Sequence, residues 1–134
     1  MPISLAAGTV RTPEFAVKRK YYNILVVAKW LIPPDELKCR MGLKGTPVDA
    51  PCRWEPLLET RWRVLDGDRI VAEGVDEGVT PVGDADNDSL SRRIAYFKGE
   101  ARRKYVVELT FIKDAGVLNV TQPRLIVETP EFSF

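Results

Sequence analysis

The 134-residue chain contains no histidine and only two cysteines. Without histidine it lacks the usual general base at neutral pH, and with it the Ser-His-Asp and Cys-His arrangements of nucleophilic catalysis. Two thiols and no imidazole also rule out a conventional Cys/His zinc site. Long apolar runs are missing as well. The longest, Tyr21 to Leu31, falls well short of the ~20 residues a membrane-spanning helix needs, so no membrane span is expected. Charge is nearly balanced at a formal +1, which gives no general attraction to nucleic acid and leaves room only for local patches. There is no phosphate cradle: Gly42 to Thr46 is too short for a P-loop and lacks the flanking strand and helix. None of the 19 acidic residues sits in a context that predicts a raised pKa. No enzyme activity, cofactor or metal is expected.

What is present reads as one soluble domain, residues 1–134, with 45% hydrophobic and 29% charged residues and many connections rich in its 10 prolines and 9 glycines. Tyr21 to Leu31 reads as the central strand. Tyr22, Ile24, Val26, Ala28 and Trp30 form an unbroken apolar row, whereas the alternate row admits Asn23 and Lys29. Pro33-Pro34 ends it. Leu58, Thr60, Trp62 and Val64 alternate with Glu59, Arg61 and Arg63. Asp66-Gly67 then predicts a type I′ hairpin returning through Arg69 to Glu73 and ending at Gly74. Further strands are expected at Thr9 to Thr12, Glu14 to Val17, Leu90 to Phe97 and Tyr105 to Ile112. A last one, Val117 to Val120 with Leu125 to Val127, is interrupted near Pro123.

Residues 33–57 show no period, and a connection that long favours a binding loop or a staple. Cys39 and Cys52 bracket its centre and predict a disulfide, hence an oxidising, periplasmic or secreted location. The amino-terminal residues do not read as a signal peptide; a mature chain with its leader removed would read the same. Trp54 beside Arg53 forms either a lid on one end of the core or part of a recognition surface. Residues 74–89 form an acidic loop in which Asp84, Asp86 and Asp88 repeat the first donors of a calcium loop. Ser89 and Ala95 then break the match, leaving a solvated turn. Two basic runs, Lys18 to Lys20 and Arg102-Arg103-Lys104, each precede a core strand; they read as solvated connections, with an anion- or protein-binding patch at one end of the sandwich as the alternative.

Tyr105 opens the strand after a turn, with Val107, Leu109 and Phe111 alternating behind it. This resembles the tyrosine corner of immunoglobulin-like and fibronectin-type sandwiches, whose phenol bonds backbone near the preceding turn, and Trp62 resembles the tryptophan of their central third strand. The chain departs from the antibody pattern at Val107, where the second core cysteine would stand, and its turn lacks the leucine and proline usual in fibronectin modules. The likeness covers the architecture of small bacterial envelope sandwiches. It implies an all-β fold, an antiparallel two-sheet sandwich of about seven or eight strands. With it comes the expectation of a non-catalytic binding or inhibitory module that meets another protein through loops at one end, with Arg53, Trp54, Arg102 and Arg103 as candidate contacts. The alternative is an accessory carbohydrate-binding sandwich that stacks sugars on Trp54.

Overall fold

The computed structural model describes residues 1–17, 20–43, 52–76 and 83–129. Nine strands are found among them: β1 (Gly8–Arg11), β2 (Phe15–Ala16), β3 (Tyr21–Lys29), β4 (Thr60–Asp66), β5 (Arg69–Asp76), β6 (Gly83–Ala85), β7 (Ser89–Lys98), β8 (Lys104–Phe111) and β9 (Arg124–Glu128). They form two antiparallel sheets. One has the order β1-β8-β4-β5, with β2 also paired to β8; the other has the order β6-β7-β3-β9. The architecture is therefore the expected all-β two-sheet sandwich, with nine strands where about seven or eight were expected, because Gly83–Ala85, in the segment expected to be a solvated acidic loop, pairs with β7 as β6.

Alternation decides what faces inward. On β3, Tyr22, Ile24, Val26 and Ala28 are buried, and Trp30 packs against the same cluster. On β8, Tyr105, Val107, Leu109 and Phe111 meet them from the opposite sheet. Trp62 of β4 is half-buried at the margin of this interior. It lies over Gly74, where a Cβ would stand 2.8 Å from its Nε1, so a glycine is required for the indole to fit. Two β-bulges then set which side chains are seen from outside. Ile94 is an extra residue opposite Ile24, and the resulting change of phase buries Phe97 while turning Tyr96 out to 59% exposure. Val71 does the same in β5 and turns Ile70 outward.

Four local expectations are corrected. Residues 33–57 contain an α-helix, α1 (Pro34–Arg40), whose signals were present in the sequence. Proline stands at its start, Asp35 and Glu36 lie in the first turn, Lys38 and Arg40 in the last, and Leu37 and Cys39 point into the core. The segment Val117 to Val120 belongs to a 3₁₀ helix, Gly116–Thr121, and only Arg124–Glu128 forms the last strand. Val117 and Val120 are more than half exposed, because a three-residue turn cannot direct a two-residue alternation to one side. In the β4–β5 hairpin Asp66 pairs with Arg69, so Gly67 and Asp68 are the central residues. Only Gly67 has positive φ, 59°, which excludes the type I′ turn, where both would. Finally, β5 continues through Gly74 to Asp76.

The first eleven residues tie the layers together. Pro2 bridges to Arg124 beside β9, while Gly8–Arg11 pairs with β8 in the other sheet. Thr12 continues along β8, its N–H donating to Val107 O (2.9 Å) and its hydroxyl accepting from Val107 N (3.0 Å), before β2 pairs with Tyr105 and Lys104.

Candidate functional site: a cationic end and a stapled end

The four candidate contacts do not share a surface. Arg102 and Arg103 lie in the turn that leads into β8, whereas Arg53 and Trp54 lie before β4, whose first residue, Thr60, faces Phe111 at the far end of β8. Eight residues of strand separate them, about 25 Å.

The first end is assembled around the β7–β8 turn. The Gly99 N–H donates to Lys20 O (2.8 Å) and the Val17 N–H to Arg103 O (2.9 Å), so the β2–β3 connection and this turn are bound together. A Cβ on Gly99 would meet Val17 Cγ1 at 2.8 Å, which accounts for the glycine. The Glu100 N–H donates to the phenol oxygen of Tyr105 (3.1 Å), and Arg102 takes a left-handed φ of 69°. Beneath the turn, Phe15, Tyr22, Phe97 and Tyr105 form a contiguous aromatic cluster, with Tyr22 stacked on Phe97 at 5.6 Å and Tyr105 edge-on to Phe97 at 6.0 Å. The turn is therefore a rigid mount.

On that mount stand Lys20, Lys98, Arg102 and Lys104, all exposed, none with an acidic partner among the described residues. Arg103 differs: it leans toward Asp66 (3.6 Å) and Glu100 (3.7 Å). Lys98 faces Tyr21 across the β3–β7 ladder, Lys20 Nζ lies 5.6 Å from the Tyr21 ring, and Arg93 lies 5.1 Å from the ring of exposed Tyr96. The two basic runs thus meet at one end for the residues described; Lys18 and Arg19 lie outside them.

The second end is held by covalent and ionic staples. Cys39 and Cys52 form the expected disulfide, with Cα atoms 5.6 Å apart. The Leu57 N–H donates to Arg40 O (2.8 Å), and Lys113 Nζ reaches both Glu55 Oε1 (2.7 Å) and Pro56 O (3.1 Å). That lysine holds the Glu55 carboxyl below its ordinary range. Arg53 is exposed and Trp54 half-buried. Trp30 and Trp62 pack against the core cluster.

Asp86 organises the neighbouring turn. Its Oδ1 accepts the backbone N–H groups of Asp88 and Ser89, both at 2.8 Å, while its carbonyl accepts the Trp30 indole N–H (2.8 Å). Those backbone donors lower the Asp86 pKa from 3.8. A carboxylate whose pKa is depressed by folding contributes stability at pH above its unfolded value, and that contribution is lost as pH falls through the lower folded value. Acidification below about pH 4 is therefore expected to loosen the turn and shift the Trp30 indole N–H resonance. Asp86→Asn, which keeps an oxygen acceptor that does not titrate, should flatten that shift; an unchanged titration would contradict the assignment. No group of three or more Asp, Glu or Cys disposed to hold a metal is found among the described residues.

One buried group escaped the sequence reading. Arg92, in the β7 row between Leu90 and Ile94, is wholly buried, and its Nη2 lies 2.8 Å from both carboxylate oxygens of Asp76. Its Nε and Nη1 have no hydrogen-bond partner in the structure. Thr60, Asp76's ladder neighbour, is also buried with its hydroxyl unpartnered. The only signal was a charge interrupting an apolar row, and its partner could be found only once the sheet order was known.

Comparison with known proteins finds no family model, no curated sequence and no solved structure that matches the chain. No helix among the described residues is long and apolar enough to cross a membrane.

Proposed function

We propose that the chain is a non-catalytic binding module that engages an acidic surface of a partner protein through the cationic end, in an oxidising compartment such as the periplasm or the cell exterior. One observation carries the reading: Lys20, Lys98, Arg102 and Lys104 stand on one turn, none with an acidic partner among the described residues and its own Glu100 taken by Arg103, whereas Arg11, Arg40, Arg63 and Lys113 each have one. Unpaired cations held on a stiff base lose little entropy on meeting a complementary surface, and they raise the rate of encounter with it. Exposed Tyr21 and Tyr96 beside them add the aromatic contact area typical of binding hot spots. The disulfide supports the compartment.

The test is capture from a native extract by the wild type and by the Lys98→Glu/Arg102→Glu/Lys104→Glu variant in parallel. An acidic protein should be retained by the first, lost from the second, and released as salt shortens the screening length from about 10 Å toward 3 Å. Equal capture by both proteins would reject the reading.

A further inference from the structure

At the stapled end a cleft of about 510 Å³ opens on the outer face of the β6-β7-β3-β9 sheet, within the size range of small-molecule sites. The ladder constructs it. Arg124 at the start of β9 faces Val27, so Lys29, two residues further along β3, is its diagonal neighbour on the same face, roughly 7–8 Å away. Lys29 in turn faces Ser89, which places Asp88 at the adjoining rim. Gln122 closes the third side in a left-handed conformation (φ 53°, ψ 58°). Pro2, Ile3 and Pro123 supply apolar walls, and the Ile3 N–H bond to Pro123 O (3.1 Å) fixes them. Asn119, also on the lining, is held in place by the Leu5 N–H and the Ser4 hydroxyl.

The side chains of Lys29, Asp88, Gln122 and Arg124 make no hydrogen bond or ion pair among the described residues, so two cations, a carboxylate and an amide converge on one cleft uncommitted. We propose that the cleft binds an acidic α-amino acid of the glutamate or aspartate type. Such a ligand carries two carboxylates, one for Lys29 and one for Arg124, and one ammonium for Asp88. Its carbon chain lies against Ile3 and Pro123. The lining leaves one positive charge in excess, and the ligand carries one negative charge at neutral pH. A neutral amino acid would leave one cation unmatched, and a simple dicarboxylate would be repelled by Asp88.

Calorimetric titration of the full chain with L-glutamate, L-aspartate, L-glutamine, glutarate and inorganic phosphate tests this. Saturable binding of an acidic amino acid is expected. L-Glutamine, which lacks the second carboxylate, and glutarate, which lacks the ammonium, should each bind about tenfold or more weakly, the loss of one ion pair. Lys29→Gln and Arg124→Gln should each weaken L-glutamate by a similar factor. Asp88→Asn should weaken L-glutamate while strengthening glutarate, a crossing that general charge attraction does not produce. Circular dichroism confirms that these surface variants fold. Absence of saturable binding by both acidic amino acids at about 10 mM, weaker than any useful site, overturns the proposal. So does phosphate binding as tightly as L-glutamate. The charge-reversed variant of the cationic end should keep its glutamate affinity, so this site and the partner-binding surface stand or fall separately.

Discussion

Arg92→Ala is expected to lower stability by about 3–5 kcal/mol, the cost of leaving one member of a buried ion pair without the other. Arg92 is wholly buried and Asp76 nearly so, so the carboxylate has little water to replace the lost guanidinium. For a chain of this length that corresponds to a drop in Tm of about 10–20 °C. The double variant Arg92→Met/Asp76→Leu should recover most of the loss, because two apolar side chains of similar volume need no partners. Burial lowers the Arg92 pKa more than the Asp76 carboxylate raises it, and Nε and Nη1 are unpartnered. The site thus holds the charged form at a net cost. What the pair contributes is discrimination: a two-residue slip of β7 would keep Arg92 between the sheets but carry its guanidinium away from Asp76. Thermal unfolding of the two variants decides the matter. An Arg92→Ala protein within about 1 kcal/mol of the wild type would mean that the Asp76 carboxylate does not depend on the guanidinium and that the pair has no such role.

Reduction of the disulfide is the second large effect. Cys39 and Cys52 are 13 residues apart, and closing a loop of that size is worth about 3 kcal/mol through the unfolded chain. A reducing agent should therefore lower the Tm by about 10 °C, and Cys39→Ala/Cys52→Ala should show the lower value in either condition. Part of the end should survive, since the Arg40–Glu36 pair and the Leu57-to-Arg40 hydrogen bond do not depend on sulfur. Identical melting with and without reductant would show that those contacts alone hold the segment.

The sequence made the sandwich legible because both faces of its main strands were written in period two. Tyr22 to Ala28 and Tyr105 to Phe111 are buried as their alternation requires. It was silent where one residue changes the phase. Nothing local marks Ile94 or Val71 as bulged, yet those two residues decide that Tyr96 and Ile70 face solvent. The helix at Pro34–Arg40 was legible from its charges and its proline, but at seven residues it is too short for hydrophobic periodicity to register. At the cationic end, the two basic runs were visible and their meeting could be argued from the strands they precede. The cleft was not visible: Lys29, Asp88 and Arg124 are far apart in the chain and come together only through ladder register.

The amino-terminal residues that run beside β8 also settle how the molecule can meet its neighbours. With Gly8–Arg11, Thr12 and β2 laid along it, β8 has no backbone left to offer. Among the described residues every edge strand except β5 is five residues or shorter. The β5 edge is kinked at Val71 and carries Arg69 and Glu73. Fibril growth by strand addition thus finds no long, flat template, and recognition is left to side chains and turns.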